Sequence, residues 1–179
     1  MTQDTPSTEA AQRLLQAGEM LPDGWAGALT GDLRLDRAML PDLSVLAGMT
    51  GLSGLFLNRT MVSDVSALAE LTGLRRLSLK LTRVTDIAPL SALVHLNSLI
   101  LSFTAVTDIG VVARMEDLES LYLTGTLVSD LSAVAGLTRL ERLDLGGTQV
   151  TDLRAVAGLT RLRSLELAST KVADISPLA

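Results

Sequence analysis

The residues best placed to do chemistry in this sequence are aspartates that recur at a fixed interval. The interval is 22 residues, and the clearest copies are Asp64, Asp86, Asp108, Asp130, Asp152 and Asp174. Regular carboxylates bind calcium in some β-solenoids, but those proteins use short glycine-rich repeats. Here each aspartate precedes a short apolar segment, where a carboxylate caps a helical turn by accepting backbone N–H groups. We therefore expect a structural role and no metal site.

Other candidates for catalysis are few. The sequence contains one histidine, His95, and no cysteine, so thiol chemistry and disulfides are excluded. A lone histidine without a nearby nucleophile or metal partner does not make a catalytic site. Gly146 and Gly147 are not followed by the Gly-Lys-Ser of a phosphate-binding loop. We expect a protein that is not an enzyme and that uses no cofactor.

Composition narrows the class of protein further. Apolar residues make up 47% of the 179 residues but aromatic residues only 2%, so Leu, Val and Ala must build the core. A net charge of −5 argues mildly against nucleic acid or an anionic membrane as a partner. There is no recognisable signal peptide and no run of roughly 18 apolar residues. We expect a cytoplasmic protein, or an effector secreted by a signal not recognisable here.

The 22-residue interval also governs the residues around the aspartates. Four positions before each aspartate stands a threonine, at Thr60, Thr82, Thr104, Thr126, Thr148 and Thr170. Upstream of each threonine runs the pattern L-x-x-L-x-L, as in Leu74, Leu77 and Leu79. A degenerate earlier copy has Ala38 in the threonine position. The pattern predicts seven repeats over residues 29–179 as one continuous domain, preceded by residues 1–28.

Each repeat predicts a strand followed by a short helical turn. In L-x-L the two leucines share one face, so a short strand buries that face. The segment Asp86-Ile87-Ala88-Pro89-Leu90 then begins a helical or 3₁₀ turn, in which an early proline costs no hydrogen bond. One repeat cannot enclose a core by itself, so the repeats must stack and share one. The strands should then form a parallel sheet.

The motif LxxLxLxxTxVTDIxPL, carried here by residues 74–90, resembles the bacterial leucine-rich repeats of 22 residues typified by internalins. The final Asp174-Ile175-Ser176-Pro177-Leu178 repeats its ending. The resemblance implies an α/β, right-handed solenoid with a concave parallel sheet and short turns on the convex side. It also implies a curved scaffold for binding partners, although such folds serve many functions.

One departure from that family is systematic. The family commonly has asparagine where this chain has threonine. Threonine offers a single hydroxyl in place of the donor and acceptor of an amide. We expect the threonines to form a buried column whose hydroxyls bond to backbone groups of the loops.

The two ends of the repeat array are expected to differ. Residues 1–6 read as a loose tail, and residues 7–20 predict an amphipathic helix that presents Ala11, Leu14 and Leu15 on one face. With Trp25 this helix forms a plausible N-terminal cap. At the other end no polar capping segment is recognisable. We expect an uncapped edge there, bordered by Leu165, Leu167, Val172 and Ile175.

Alternation along the strands identifies the outward-facing residues. If Leu99 and Leu101 point inward, Ile100 points outward, and the same column reads Arg34, Phe56, Ser78, Ile100, Tyr122, Asp144 and Glu166. The position before each threonine adds Arg37, Arg59, Leu81, Phe103, Gly125, Gly147 and Ser169. Aromatic and arginine side chains commonly anchor interfaces. We therefore predict a site for a protein or peptide formed by Phe56, Arg59, Arg76, Lys80, Leu81, Ile100, Phe103 and Tyr122.

Three other interpretations remain. Scattered exposed apolar residues are normal, and β-branched and aromatic residues favour strands in any case. An ice-binding array of Thr85, Thr107, Ser129 and Thr151 is disfavoured because polar turn residues normally serve local structure. The serious alternative is self-assembly, in which the C-terminal edge forms a homodimer or docks onto another domain.

Overall fold

The leucine pattern produces seven short strands, all of them parallel. A computed structural model describes residues 6–40 and 42–178. The strands are β1 (Gly31–Arg34), β2 (Leu52–Phe56), β3 (Arg76–Ser78), β4 (Ser98–Ile100), β5 (Ser120–Tyr122), β6 (Arg142–Asp144) and β7 (Ser164–Glu166). They follow one another in chain order across a single sheet. The predicted solenoid with a parallel sheet is confirmed.

The register of the sheet equals the repeat length. Leu55 pairs with Leu77, Leu77 with Leu99, and Leu99 with Leu121, so equivalent residues form straight columns across the strands. An irregularity occurs between β1 and β2, where Gly31 pairs with Leu52 but the next residue pairs with Gly54. Because the columns are straight, each repeat position defines one row on the surface.

The predicted turns on the side opposite the sheet are all 3₁₀ helices. Those that follow strands span Ser44–Leu46, Ser66–Glu70, Ala88–Ala92, Gly110–Arg114, Ser132–Val134, Arg154–Val156 and Ser176–Leu178. Each is preceded by its aspartate, whose Oδ1 accepts the backbone N–H two residues later at 2.7 or 2.8 Å. The aspartates therefore bond to the start of each turn as predicted, but they do not occupy the predicted N-cap position. The aspartate stands one residue before the formal N-cap, because Val65 and not Asp64 holds that place in the second repeat.

Columns of leucine and valine fill the space between the sheet and the turns. Leu55, Leu77, Leu99, Leu121 and Leu143 are at most 1% exposed. Among the described residues the buried hydrophobic core has a single aromatic member, Trp25. Large aromatic side chains elsewhere in the described chain therefore do not serve the core.

The threonine column behaves as predicted. In each clear repeat the threonine Oγ1 donates to the carbonyl three residues earlier, at distances between 2.6 and 2.8 Å. Thr60, Thr104 and Thr126 are nearly inaccessible to solvent. The bond stays within one repeat, so each threonine fixes the turn that ends its own strand.

The predicted N-terminal helix is shorter than expected and covers the first strand. It spans Thr8–Gln16 (α1), and the hydroxyl of Ser7 accepts from the N–H of Ala10 at 3.1 Å. Side chains on one face of α1 bond to the backbone of β1, since Gln12 accepts from the N–H of Arg34. The helix thus covers an edge of the sheet that would otherwise be open. The predicted tail falls largely on residues 1–5, which lie outside the described residues.

Burial decreases in the last repeat. Leu165, Leu167 and Val172 are only partly buried, whereas Ile175 is 64% and Leu178 46% exposed. The predicted residues therefore do border a less covered face within the described chain. Separately, no helix among residues 6–40 and 42–178 is long and apolar enough to cross a membrane.

Candidate partner-binding surface

The central outward column is assembled as the alternation predicts. Strand pairing aligns Phe56 with Ser78, Ser78 with Ile100, and Ile100 with Tyr122. Leu99 and Leu101 are buried, while Phe56, Ile100 and Tyr122 are half-buried on the opposite face of the strands. The column continues through Tyr122 to Asp144. Three large side chains therefore occupy one row on the open face of the sheet.

Polar neighbours hold this row in place. The guanidinium of Arg34 lies 4.0 Å from the centroid of the Phe56 ring, a cation–π contact between adjacent strands. Ser78 is 2% exposed, and its hydroxyl donates to the side-chain carbonyl of Asn58. The Arg34 contact orients Phe56, and the small, buried Ser78 is the residue that lies between Phe56 and Ile100 in the row.

The structure corrects the placement of Arg59, Leu81 and Phe103. The sequence reading placed them with the outward strand residues, but β4 ends at Ile100. Phe103 is the third residue of a turn in which the N–H of Thr104 donates to the carbonyl of Leu101 at 3.2 Å. Such a turn requires positive φ at its third residue when it takes the type II form. These three residues have φ of 59° or 60° and line one flank of the sheet.

The turn of Phe103 packs closely on the next turn along the solenoid. A Cβ placed on Gly125 would lie 2.7 Å from the Phe103 ring, so only glycine allows the ring to lie where it does. On the other side, the ammonium of Lys80 lies 5.8 Å from the ring centroid. Phe103 remains 49% exposed. The ring is thus supported by its neighbours and still open to a partner.

Arg76 is not available in the way the sequence suggested. Its Nη2 lies 2.8 Å from Oδ1 of Asp32, so the guanidinium spans the intervening strand. Glycine at position 54 makes room for this pair, because a Cβ there would lie 2.2 Å from the same carboxylate oxygen. Arg34 also approaches Asp32, at 3.9 Å. The charge of Arg76 is thus already paired within the chain.

Other cations nearby are not neutralised. Arg59, Lys80 and Arg83 are exposed, and none of them forms an ion pair with another residue in the described ranges. Asp144 and Glu166 stand at the opposite end of the row, as neighbours in the register of β6 and β7. Unpaired cations therefore flank the row beside repeats two and three, while the carboxylates at its other end lie beside the exposed Arg142.

Sequence reasoning missed a second exposed apolar row. Met39, Met61 and Leu127 occupy the position after the threonine column and are 92%, 60% and 52% exposed. This position lies in the turn beyond the strand, where alternation gives no guide to direction. The same position holds Arg83, Gln149 and Lys171 in other repeats, so the sequence contains no regular signal for an apolar row.

His95 lies on a different face. Its Nδ1 is 3.4 Å from Oδ2 of Asp117, which also pairs with Arg139 one repeat further on. Within the described part of the chain, no three His, Asp or Glu side chains form a group able to hold a metal ion. These contacts form a row of polar side chains on the surface, in which Arg139 and Asp117 make an ion pair.

Comparison with known proteins agrees with this geometry. The sequence profile of the family described as Leucine Rich repeats (2 copies) matches residues 138–179. Internalin C2 from Listeria monocytogenes is 27% identical and superposes with a TM-score of 0.82, covering 100% of this chain and 74% of its own. The chain has the leucine-rich-repeat fold. The predicted resemblance to bacterial internalins is confirmed.

Two further structures show how much longer such leucine-rich-repeat proteins can be. Another Listeria monocytogenes internalin (inlF) is 27% identical with a TM-score of 0.67, and the match covers 87% of this chain and 59% of that one. A leucine-rich-repeat protein from Leptospira interrogans is 22% identical with a TM-score of 0.75, covering 83% and 39%. A search of curated proteins gave no match.

Proposed function

We propose that this leucine-rich-repeat protein is a non-enzymatic scaffold that binds a protein or peptide on the open face of its sheet. The observation that carries the proposal is the row formed by Phe56, Ile100 and Tyr122. Among the described residues the buried core has one aromatic member, yet two aromatic rings stand in register on the outer face. Aromatic residues of this kind commonly provide most of the binding energy at an interface.

The proposed roles follow from position. Phe56, Ile100 and Tyr122 bury apolar groups of the partner at the centre of the site. Lys80 and Arg59 lie at its rim, where cations accelerate association with acidic groups more than they add affinity. A leucine-rich-repeat solenoid suits this role because stacking repeats creates an extended concave surface.

A paired affinity capture tests the proposal. Wild type and a Phe56→Ser/Ile100→Ser/Tyr122→Ser variant are immobilised and exposed to the same lysate, after circular dichroism shows both to be folded. The matched control, Ile175→Ser/Leu178→Ser, removes exposed apolar side chains from the last repeat. We expect a protein retained by wild type and the control but lost by the first variant. Equal retention by all three proteins contradicts the proposed site.

A second candidate function is assembly through the last repeat. The observation in its favour is the exposure of Ile175 and Leu178, whose counterparts in earlier repeats are buried. An exposed apolar face of this kind can form a two-fold dimer. Light scattering over a range of concentrations tests it. A mass that rises with concentration in wild type but not in the Ile175→Ser/Leu178→Ser variant supports assembly, and a constant monomer mass contradicts it.

A further inference from the structure

One turn position carries backbone strain in most repeats. The residue before the threonine column has φ between 59° and 69° in all seven repeats. Residues with a Cβ find this left-handed region unfavourable by about 1 kcal/mol or more. Glycine occupies the position in two repeats, as Gly125 and Gly147. The backbone hydrogen bonds are the same with either residue type, since Phe103 and Gly125 each donate to the next repeat at 2.7 Å.

Neither the backbone nor the core explains Leu81 and Phe103 at this position. The turn prefers glycine or asparagine. Both side chains face outward, with 40% and 49% of their surface exposed. An unfavourable conformation retained at exposed apolar side chains points to a contact outside the chain.

The neighbourhood of these two residues specifies the chemistry of that contact. Phe103 lies against Gly125 and under the ammonium of Lys80, so the ring has a fixed orientation and one open side. Arg59 and Arg83 stand in the adjoining turns and form no ion pair within the described ranges. Unpaired cations around an apolar centre are complementary to a segment that carries carboxylates beside an apolar side chain. The chain as a whole is acidic, with a net charge of −5, which makes this basic flank a local feature.

We propose that Leu81 and Phe103 are specificity-determining anchors for an acidic polypeptide segment with an apolar side chain, and that they hold left-handed turns for this contact. The inference rests on the proposed function, because it names the class of partner and extends the site from the strand row onto the flank. The apolar side chain packs on the Phe103 ring and on Leu81. The carboxylates face Arg59, Lys80 and Arg83.

Glycine substitution separates this role from a structural one. In Leu81→Gly/Phe103→Gly the side chains are lost while the backbone conformation becomes favourable, so the fold is retained. Leu81→Asn/Phe103→Asn is a second variant, because asparagine also tolerates positive φ. The matched control is Ser169→Gly, which makes the same backbone change at φ 59° in the last repeat.

The probe is a library of short random peptides displayed on phage and selected on the wild-type protein. We expect selected peptides to be enriched in aspartate or glutamate next to an aromatic or aliphatic residue. A synthetic copy of such a peptide should bind Leu81→Gly/Phe103→Gly about tenfold more weakly than wild type. It should bind Ser169→Gly as wild type does, and its affinity should fall as sodium chloride rises.

Three results overturn the inference. They are selected peptides without acidic residues, equal affinity for wild type and both flank variants, and a library that yields no binder. Each leaves the proposed function to its own test, because the capture experiment changes only Phe56, Ile100 and Tyr122. A peptide that binds the flank variants normally but fails to bind the strand-row variant keeps the proposed function and removes this inference.

Discussion

At the scale of single residues, the sign of φ distinguishes positions that look alike in the sequence. Ile100 lies in β4, whereas Phe103 occupies a left-handed turn at φ 60°. Replacing each residue with alanine or with glycine should therefore give opposite orders of stability at the two positions. In the strand, glycine is less stable than alanine by roughly 0.5–1 kcal/mol. In the turn, alanine keeps a Cβ in an unfavourable conformation and glycine does not.

We expect Phe103→Gly to be more stable than Phe103→Ala by about 1 kcal/mol. Both variants lose the ring, so their difference reports the backbone alone. Urea denaturation measures the free energy of unfolding of each. The pair Ile100→Gly and Ile100→Ala provides the control, with the opposite order expected. If alanine is the more stable residue at position 103 as well, the turn is not strained.

The sequence predicted part of this residue-level picture. Alternation placed Ile100 correctly, because side-chain direction along a strand has a fixed period. The rule does not apply to Phe103, which is exposed as predicted but lies in a turn beyond the end of the strand. Gly125 and Gly147 in the same column were the signal that this position needs positive φ. The pairing of Arg76 with Asp32 was missed, although the two residues stand in one column, two repeats apart with Gly54 between them.

At the scale of elements, the aspartates start the 3₁₀ turns, and their ionisation makes the free energy of unfolding depend on pH. The Ser66 hydroxyl, and then the Ser66 backbone N–H, hold the pKa of Asp64 below its ordinary value. The Ser44 hydroxyl and N–H lower the pKa of Asp42 in the same way. A carboxyl whose folded pKa is lowered stabilises the fold when it is ionised. That contribution is complete above the unfolded pKa, near 4, and is lost as the pH falls through the folded value.

We expect the free energy of unfolding to change little between about pH 7 and 5 and to fall below about pH 4. Urea denaturation at a series of pH values measures it. In Asp64→Asn the amide oxygen can still accept from Ser66 but does not titrate, so the decline should be shallower. Glu70→Gln, an exposed change in the same repeat, should follow wild type. Identical slopes for Asp64→Asn and wild type would contradict the capping account.

The first helix shows what the sequence could and could not indicate about an element. Its apolar face was predicted, and Ala11 and Leu15 are buried as expected. Its polar face was not assigned a role. Gln12 and Gln16 bond to the backbone of Arg34 at 3.2 Å, which replaces the strand that β1 lacks on that side. Such bonds depend on the angle at which the helix meets the sheet, and the spacing of apolar residues in the sequence does not predict that angle.

At the scale of the whole molecule, the number of repeats determines the architecture. The burial of the leucines in each repeat determines how stability varies along the solenoid. A solenoid is stabilised by each repeat and by the contacts between neighbours. The central repeats have neighbours on both sides, and Leu101 is fully buried. In the last repeat Leu167 is only partly buried. The two ends of the described array are therefore unequal, since α1 covers β1 while the last repeat has a more exposed apolar face.

This inequality predicts different consequences for the same substitution. Leu101→Ala removes a fully buried side chain between two repeats and should cost about 3 kcal/mol, within the range for buried leucines. Leu167→Ala should cost about 1 kcal/mol, because its side chain is already partly exposed.

Hydrogen exchange read by mass spectrometry locates the loss of stability in each variant. Leu101→Ala should lower protection throughout the sheet, since it breaks the stack at its centre. Leu167→Ala should lower it only around β6 and β7, because a less buried repeat can open while its neighbours stay folded. Equal costs and equally widespread loss of protection would mean that the array unfolds as one unit, and that the exposed last repeat is as firmly held as the central repeats.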